Sequence, residues 1–356
     1  MMGPWYYGAA GTTPVKAQIL HTLGPIDASR PPLTLVDLPD PMPGPRELLV
    51  RVTACGVCHT ELDEIEGRTP PPSLPVVLGH QVVGVVAACG PRPSAIRPGT
   101  RVGVAWIYAA CGRCGYCLGG RENLCPEFCA TGRDVNGGYA EYMIVREDFA
   151  FPLPDALGDA DAAPLLCAGA IGYRSLRLAR LPDRGRLGLT GFGASAHLVL
   201  KLVRQRDPDA EVYVFARSEP EREFARSLGA AWAGDTTDRA PVPLDAIIDT
   251  TPAWRPVVEA LRNLAPGGRL VINAIRKEDG DRAAMAAIDY ASDLWMEREI
   301  TSVANVTRRD VSEFLDAAAR LGVRPEVDQY PLADANRALL DLKARAACGA
   351  KVLRIG

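Results

Sequence analysis

Four cysteines fall within one short stretch, CGRCGYCLGGRENLC, at the spacing Cys111-x2-Cys114-x2-Cys117-x7-Cys125. Thiols this close along a chain can converge on one tetrahedral Zn²⁺, and the intervening glycines let the backbone wrap around it. Four sulfur ligands leave no position for a substrate, so this is a structural centre. The competing readings are a chance cluster or two disulfides. Chance does not readily produce this spacing, and disulfides need an oxidising compartment for which nothing in the chain argues.

A second constellation is Gly191-Phe192-Gly193-Ala194-Ser195-Ala196, which follows an apolar strand and opens a helix. It has the form G-x-G-x-x-G/A, in the context that gives the motif meaning. The glycines allow a tight turn and close approach of backbone to a pyrophosphate, while Ala196 permits close helix–strand packing. The helix N-terminus then offers N–H groups to phosphate oxygens. The next strand ends in Ala216-Arg217-Ser218, where an NAD-binding chain usually carries an acid for the ribose hydroxyls. Ala216 removes that carboxylate, and Arg217 and Ser218 can hydrogen-bond a 2′-phosphate. NADP(H) is therefore favoured and NAD(H) is possible. The plain alternative is that Arg217 is a solvated surface arginine.

A third set is dispersed: Cys58 in ACGVCHTELDEIEG, His80 in LPVVLGHQVVG and Cys167 in LLCAGAIGY. Two thiolates and one imidazole give zinc three protein ligands and one open position, as a catalytic site needs. Taken singly, Cys167 reads equally well as a buried apolar residue, and His80 as a strand-edge donor.

The elements that must position these groups are of two kinds. From Val15 to about Phe151 short strands alternate with Pro/Gly turns (LLVRVTA, VVLGHQVVGVVAA, TRVGVAW, YAEYMIV), a β-rich pattern. ALGDADAAPLLCAGAIGYRSLRLARL has helical spacing. From Arg186 strands and helices alternate: GRLGLTGFG, ASAHLVLKLVRQR, EVYVFAR, PEREFARSLGA, LDAIIDT, PVVEALRNLA, GRLVINAI. That alternation predicts a doubly wound parallel sheet. VSEFLDAAARLGV and KVLRI return to the first domain. The expected plan is an α/β chain with a discontinuous zinc-binding catalytic domain (1–167 and 307–356, with 1–14 as a tail) and an inserted cofactor domain (168–306).

Bulk properties narrow the function classes. The 356 residues are 47% hydrophobic and 23% charged, with a formal net charge of -3, ordinary for a globular protein. No basic run stands out, so nucleic acid is not an expected partner. Apolar runs are too short for a bilayer, and the start lacks the pattern of a secretory signal. Ten cysteines without such a signal fit a cytoplasmic protein with metal-binding thiolates.

With these pieces assembled, the chain resembles the zinc-dependent alcohol dehydrogenases of the medium-chain dehydrogenase/reductase superfamily. GVCHT, LGH, VAWIYAACGRCGYCLGGRENLC, LLCAG and the glycine turn carry the resemblance. It implies a GroES-like β-rich catalytic domain, a Rossmann cofactor domain and two zinc ions per chain. Cys58, His80 and Cys167 would hold the catalytic ion, and Cys111, Cys114, Cys117 and Cys125 the structural one. Thr60 would pass the substrate proton, His59 would approach the cofactor phosphates, and Trp106 would line the substrate pocket. Ile171 would lie near the nicotinamide, and Lys351 stands where relatives place an arginine toward the pyrophosphate. Cys55 would not be a ligand. The substrate would be a small alcohol, aldehyde or ketone. The resemblance also implies a homo-oligomer, dimer or tetramer, paired through the strand in EITSVANV.

Three positions depart from the pattern. Gln81 replaces the carboxylate that stands behind the zinc, and Asp63 replaces the relay histidine. Ile171 replaces a threonine. A free Asp is ionised at neutral pH, with a pKa of ~3.9, and is a poorer proton acceptor than His. Two other functions compete with this one. A zinc-free quinone or enoyl reductase of the same fold would have no use for the seven metal ligands, and a zinc-ribbon module binding nucleic acid would surround its cysteines with more cations than Arg113 and Arg121.

Overall fold

The computed structural model describes residues 14–92, 94–344 and 349–356; most of the expected N-terminal tail lies outside them. The chain divides into two compact units. The first comprises residues up to Cys167 together with Val306–Asp316 and Pro325–Gly356, and the second Ala168–Asn305 with Ala317–Arg324. The first boundary falls between Cys167 and Ala168, inside the helical stretch ALGDADAAPLLCAGAIGYRSLRLARL. The second falls one residue before the expected position, and residues 317–324 group with the second unit. Those last residues pack there through contacts such as the Lys201 amine donating to the Arg324 carbonyl at 2.8 Å.

The first unit is built on a seven-stranded sheet. Its main path runs Ala150–Pro152, Arg101–Val104, Val82–Cys89, Glu47–Val57, Ala350–Arg354, Val327–Pro331, and Tyr142–Arg146 also pairs with Glu47–Val57. In ELLVRVTACGV burial alternates along the first half, because successive side chains point to opposite faces. Leu48, Val50, Val52 and Ala54 are buried. The C-terminal strand lies next to one edge of this sheet, antiparallel to Glu47–Val57 and parallel to the edge strand Val327–Pro331, so the chain end does return to the first unit.

VVLGHQVVGVVAA is not one continuous strand. It forms Val76–Val77 and Val82–Cys89, separated where Gly79 takes φ +96. A side chain at Gly79 would strike the Tyr139 ring and Cys55 Sγ at 2.4 and 2.8 Å. The break leaves His80 outside the ladder, free to turn toward other groups.

The second unit has a six-stranded parallel sheet. Its order is Trp232–Gly234, Glu211–Phe215, Arg186–Thr190, Leu244–Asp249, Leu264–Ile272, Glu299–Ser302. In chain order this is 3-2-1-4-5-6, the Rossmann arrangement, whose switch point lies between the first and fourth strands. Leu187, Leu189, Val212, Val214 and Ile247 are fully or nearly fully buried, as strands covered on both faces require.

Candidate active site

The long strand Glu47–Val57 delivers Cys58 to the N-cap of the helix His59–Ile65. Its Sγ accepts from the Thr60 N–H at 3.3 Å, and its own N–H donates to Glu61 Oε2 at 2.8 Å. This is a capping box, in which orphan N–H groups are satisfied reciprocally. The neighbouring strand begins at Val82, and antiparallel pairing sets Cys55 opposite Val82. The end of one strand therefore lies beside the start of the other, which brings Cys58 and His80 together. Cys167 comes from a third element. The helix Asp159–Pro164 runs into a π-turn over Leu165–Gly169. Pro164 has no N–H and cannot continue the regular ladder, and Cys167 sits mid-turn. Such turns recur at functional sites.

His80 Nε2 lies 3.8 Å from Cys58 Sγ and 3.3 Å from Cys167 Sγ. The three ligand atoms all fall within 4.8 Å of one another. Hydrogen bonding to Cys167 and burial push the Cys58 thiol well above its ordinary pKa. Burial of the His80 ring opposes its charging, yet the Glu61 carboxylate and Cys58 outweigh this and hold its pKa well above 6.5. Two crowded sulfurs facing one imidazole nitrogen are a donor set that a divalent cation suits, replacing protons as it binds. The residues fit zinc.

Glu61 is the functional residue that sequence reasoning missed. It is fully buried, and its Oε1 lies 2.6 Å from His80 Nδ1. A carboxylate this close to Nδ1 favours a proton there, so that Nε2 is the nitrogen that would give up its proton to a metal. The carboxylate absent at Gln81 thus has a counterpart on the helix. Gln81 itself packs against the backbone of Gly56, where an added Cβ would meet its amide at 2.7 Å. The capping-box spacing from Cys58 to Glu61 was the available sign.

The remaining expected residues of the first unit fall as follows. Thr60 Oγ1 lies 3.3 Å from Cys58 Sγ. His59 is exposed on the first turn of the helix. The Trp106 ring centroid is 6.4 Å from that of His80, edge-on. Asp63 is held in an ion pair with Arg68 at 2.5 Å, which commits its carboxylate to a cation. Lys351 is nearly buried and pairs with Asp328 at 3.2 Å, with the Tyr330 ring 5.9 Å away. Its charge is satisfied within its own sheet, and no phosphate is needed to explain it. Cys55 is buried and belongs to neither metal cluster among the described residues.

The four-cysteine lobe closes as the spacing requires. Cys111, Cys114, Cys117 and Cys125 form one ligand group, with Cys111 Sγ 3.8 Å from Cys117 Sγ and Cys114 Sγ 3.9 Å from Cys125 Sγ. The N–H groups of Arg113 and Cys114 hold the Cys111 thiol down at about 6, whereas burial pushes Cys117 up to about 12.

In the second unit the glycine turn joins Arg186–Thr190 to the helix Ala194–Arg206. Gly191 has φ +78, and a Cβ there would meet Thr250 Oγ1 at 2.8 Å. A Cβ on Gly193 would enter open space. The backbone at the helix start is therefore open to a close-approaching ligand, and the first N–H groups of the helix have no intrahelical acceptors. Ala196 is fully buried. Ser195 Oγ lies 3.4 Å from the Asn273 side-chain nitrogen. Ala216 is buried and Arg217 exposed, while Ser218 caps the next helix by accepting from the Glu221 N–H at 3.4 Å. Arg222 lies behind this turn, donating to the carbonyls of Ala216 and Arg217 at 2.7 and 3.1 Å. Ile171 is half-buried in the first turn of Ala170–Ala179.

Comparison with known proteins agrees with this picture. The profile of the "Alcohol dehydrogenase GroES-like domain" matches residues 44–155. "Probable alcohol dehydrogenase AdhA" of Mycobacterium tuberculosis is 44% identical over 351 residues, 97% of this chain and 99% of that protein. The chain belongs to the alcohol dehydrogenases of the medium-chain dehydrogenase/reductase superfamily. An alcohol dehydrogenase of Geobacillus stearothermophilus is 32% identical over 299 residues, 82% of this chain and 86% of its own. A solved NAD-dependent alcohol dehydrogenase superposes with a TM-score of 0.83 at 25% identity, covering 96% of this chain and all of that one. This alcohol dehydrogenase is accordingly an oxidoreductase, with a GroES-like and a Rossmann unit. Among the described residues no helix is long and apolar enough to cross a membrane.

Proposed function

We propose that this alcohol dehydrogenase is zinc-dependent, interconverts small alcohols with aldehydes or ketones, and favours NADP(H). The convergence of Cys58, His80 and Cys167 within 4.8 Å, braced by Glu61, carries the proposal. Zinc held by these three residues supplies Lewis acidity toward the substrate oxygen, and a nicotinamide supplies or accepts the hydride. The Thr60 hydroxyl, beside Cys58, can both accept the alcohol proton and pass its own onward. Asp63 is committed to Arg68, so the proton's onward path runs to water from Thr60. Trp106 stands near the His80 ring and gives the substrate an apolar wall. The second ion, on the four-cysteine lobe, stabilises the fold.

The cofactor preference rests on the exposed Arg217 and the missing acid at Ala216. Glu219, the nearest carboxylate at the start of the following helix, is neutralised by Arg222 and Arg226 at 2.7 Å each. NADH is the competing choice, being the cofactor named for the solved relative. A charge-assisted contact to the 2′-phosphate contributes roughly 1.5–3 kcal/mol, on the order of ten- to a hundredfold. Steady-state assays with both cofactors on an alcohol and aldehyde panel test the reading. Arg217→Ala should weaken NADPH use by about that factor and leave NADH nearly untouched; equal wild-type efficiency with NADH would overturn the preference.

The enzyme is further proposed to be cytoplasmic and homo-oligomeric. Glu299–Ser302 ends the second unit's sheet, and Tyr290, Trp295, Met296 and Ile300 near it are exposed, a surface suited to a second copy.

A further inference from the structure

A buried ion pair in the second unit is unexplained by the reaction. Asp249 ends the strand Leu244–Asp249 and is fully buried; the Lys277 side chain is 8% exposed. The Lys277 ammonium donates to Asp249 Oδ2, to the Thr251 carbonyl at 2.8 Å and to the Ala253 carbonyl at 3.0 Å. Its three N–H donors are thereby all used. Thr251 adds its hydroxyl to Asp249 Oδ1 at 2.8 Å. A buried charge pair of this kind does not on balance stabilise a core better than apolar residues would, so its value is sought in the geometry it fixes.

That geometry concerns the dinucleotide turn. The loop after Asp249 leans on the switch point of the sheet: the Thr250 N–H donates to the Thr190 carbonyl at 2.9 Å, and its hydroxyl to the same oxygen at 3.0 Å. Thr250 and Thr251 are the side chains a Cβ on Gly191 would strike. The loop is therefore the wall against which the glycine turn is set. On its far side the Glu278 N–H donates to the Pro252 carbonyl at 2.7 Å. Lys277 thus ties three points of this wall to one buried nitrogen.

We propose that Lys277 is a positioning residue for the dinucleotide, clamping residues 249–253 against the Gly191 turn so that the crevice keeps its shape for either nicotinamide cofactor. This rests on the reading that the cofactor lies over Gly191–Gly193. Because the clamp acts on the wall and not on the 2′-phosphate, its loss affects NADH and NADPH alike, unlike loss of Arg217.

The test titrates the intact, zinc-loaded protein with NADH and with NADPH by nicotinamide fluorescence. Lys277→Met alone strands a buried carboxylate and can unfold the unit. The informative variant is therefore Asp249→Asn with Lys277→Met, which removes both charges. It is expected to retain its melting temperature and zinc while binding both cofactors about tenfold more weakly, with cofactor KM rising by the same factor and kcat little changed. Asp249→Asn with Lys277→Gln restores amide donors to the loop carbonyls and should recover most of the affinity at the same melting temperature. Should the first pair lose its fold, Thr250→Val, which removes only the hydroxyl bond from the wall to the Thr190 carbonyl, is titrated in its place; it is expected to weaken both cofactors severalfold, and binding within about twofold of wild type then overturns the clamp. If the wild type binds and both variants bind within about twofold of it, the clamp is overturned while the cofactor reading stands. A wild type that binds neither dinucleotide overturns both.

Discussion

A histidine that ligates a metal through one ring nitrogen must have the other held, or its tautomer and orientation drift. In this alcohol dehydrogenase Glu61 does that for His80 while its second oxygen caps the helix at Cys58. One side chain therefore couples the positions of two proposed ligands. Glu61→Gln should preserve the helix cap but weaken the hold on Nδ1. Loss of metal affinity or turnover by about 10- to 100-fold is expected, read as zinc retained after dialysis against a weak chelator, with little change in helix content. Retention equal to wild type would separate Glu61 from the metal site. Much of this site was legible beforehand, because GVCHT, LGH and LLCAG carry residue types that few other roles explain together. Glu61 was not, since a glutamate three residues after an N-cap also reads as an ordinary capping residue. Lys277, in the polar stretch AIRKEDG, likewise gave no sign of burial; a cation enters a core only when tertiary structure supplies its acceptors.

At the scale of elements, loops set by glycine and by clustered metal-ligand side chains place what the strands cannot. The four-cysteine lobe has few buried apolar residues of its own: the short helix Gly115–Leu118 buries none, and Leu118 is 76% exposed. The proposed zinc would then supply much of its order. Cys114→Ser should lower the melting temperature on the order of 10 °C before it alters the chemistry, measured by calorimetry on fully loaded protein. An unchanged transition would remove the structural role. A second element depends on Asp281, whose carboxylate accepts from the N–H groups of Trp254 and Arg255 at 2.9 and 2.7 Å, at the start of Arg255–Leu261. Although desolvation works the other way, these backbone bonds hold its pKa below the ordinary 3.8. Their contribution is complete above pH 3.8 and is lost as pH falls through the lower folded value. Asp281→Ala should cost about 1 kcal/mol at neutral pH, with the gap from wild type closing in acid; a gap constant from pH 6 to 3 would contradict it. Sequence pattern was least informative at the interruptions. The run through His80 reads as one apolar strand, and only the left-handed turn at Gly79 and the contact with Tyr139 divide it.

For the whole molecule, the alternation of strands and helices from Arg186 foretold the parallel sheet, whereas its 3-2-1-4-5-6 order is given by the strand pairing alone, since other doubly wound orders share that alternation. The division of the chain was less legible past residue 306, because the helix Arg308–Leu321 is amphipathic throughout and its pattern does not say which unit each half joins. Of the two zinc ions proposed, the one on Cys58, His80 and Cys167 is expected to be required for turnover. The direct measurement is the rate of alcohol oxidation in samples of graded zinc content, with metal counted per chain by native mass spectrometry. Two zinc ions are expected in the fully active enzyme and, in Cys167→Ala, one zinc, a retained fold and no measurable turnover. Near-wild-type turnover by that variant with one zinc fewer would contradict it.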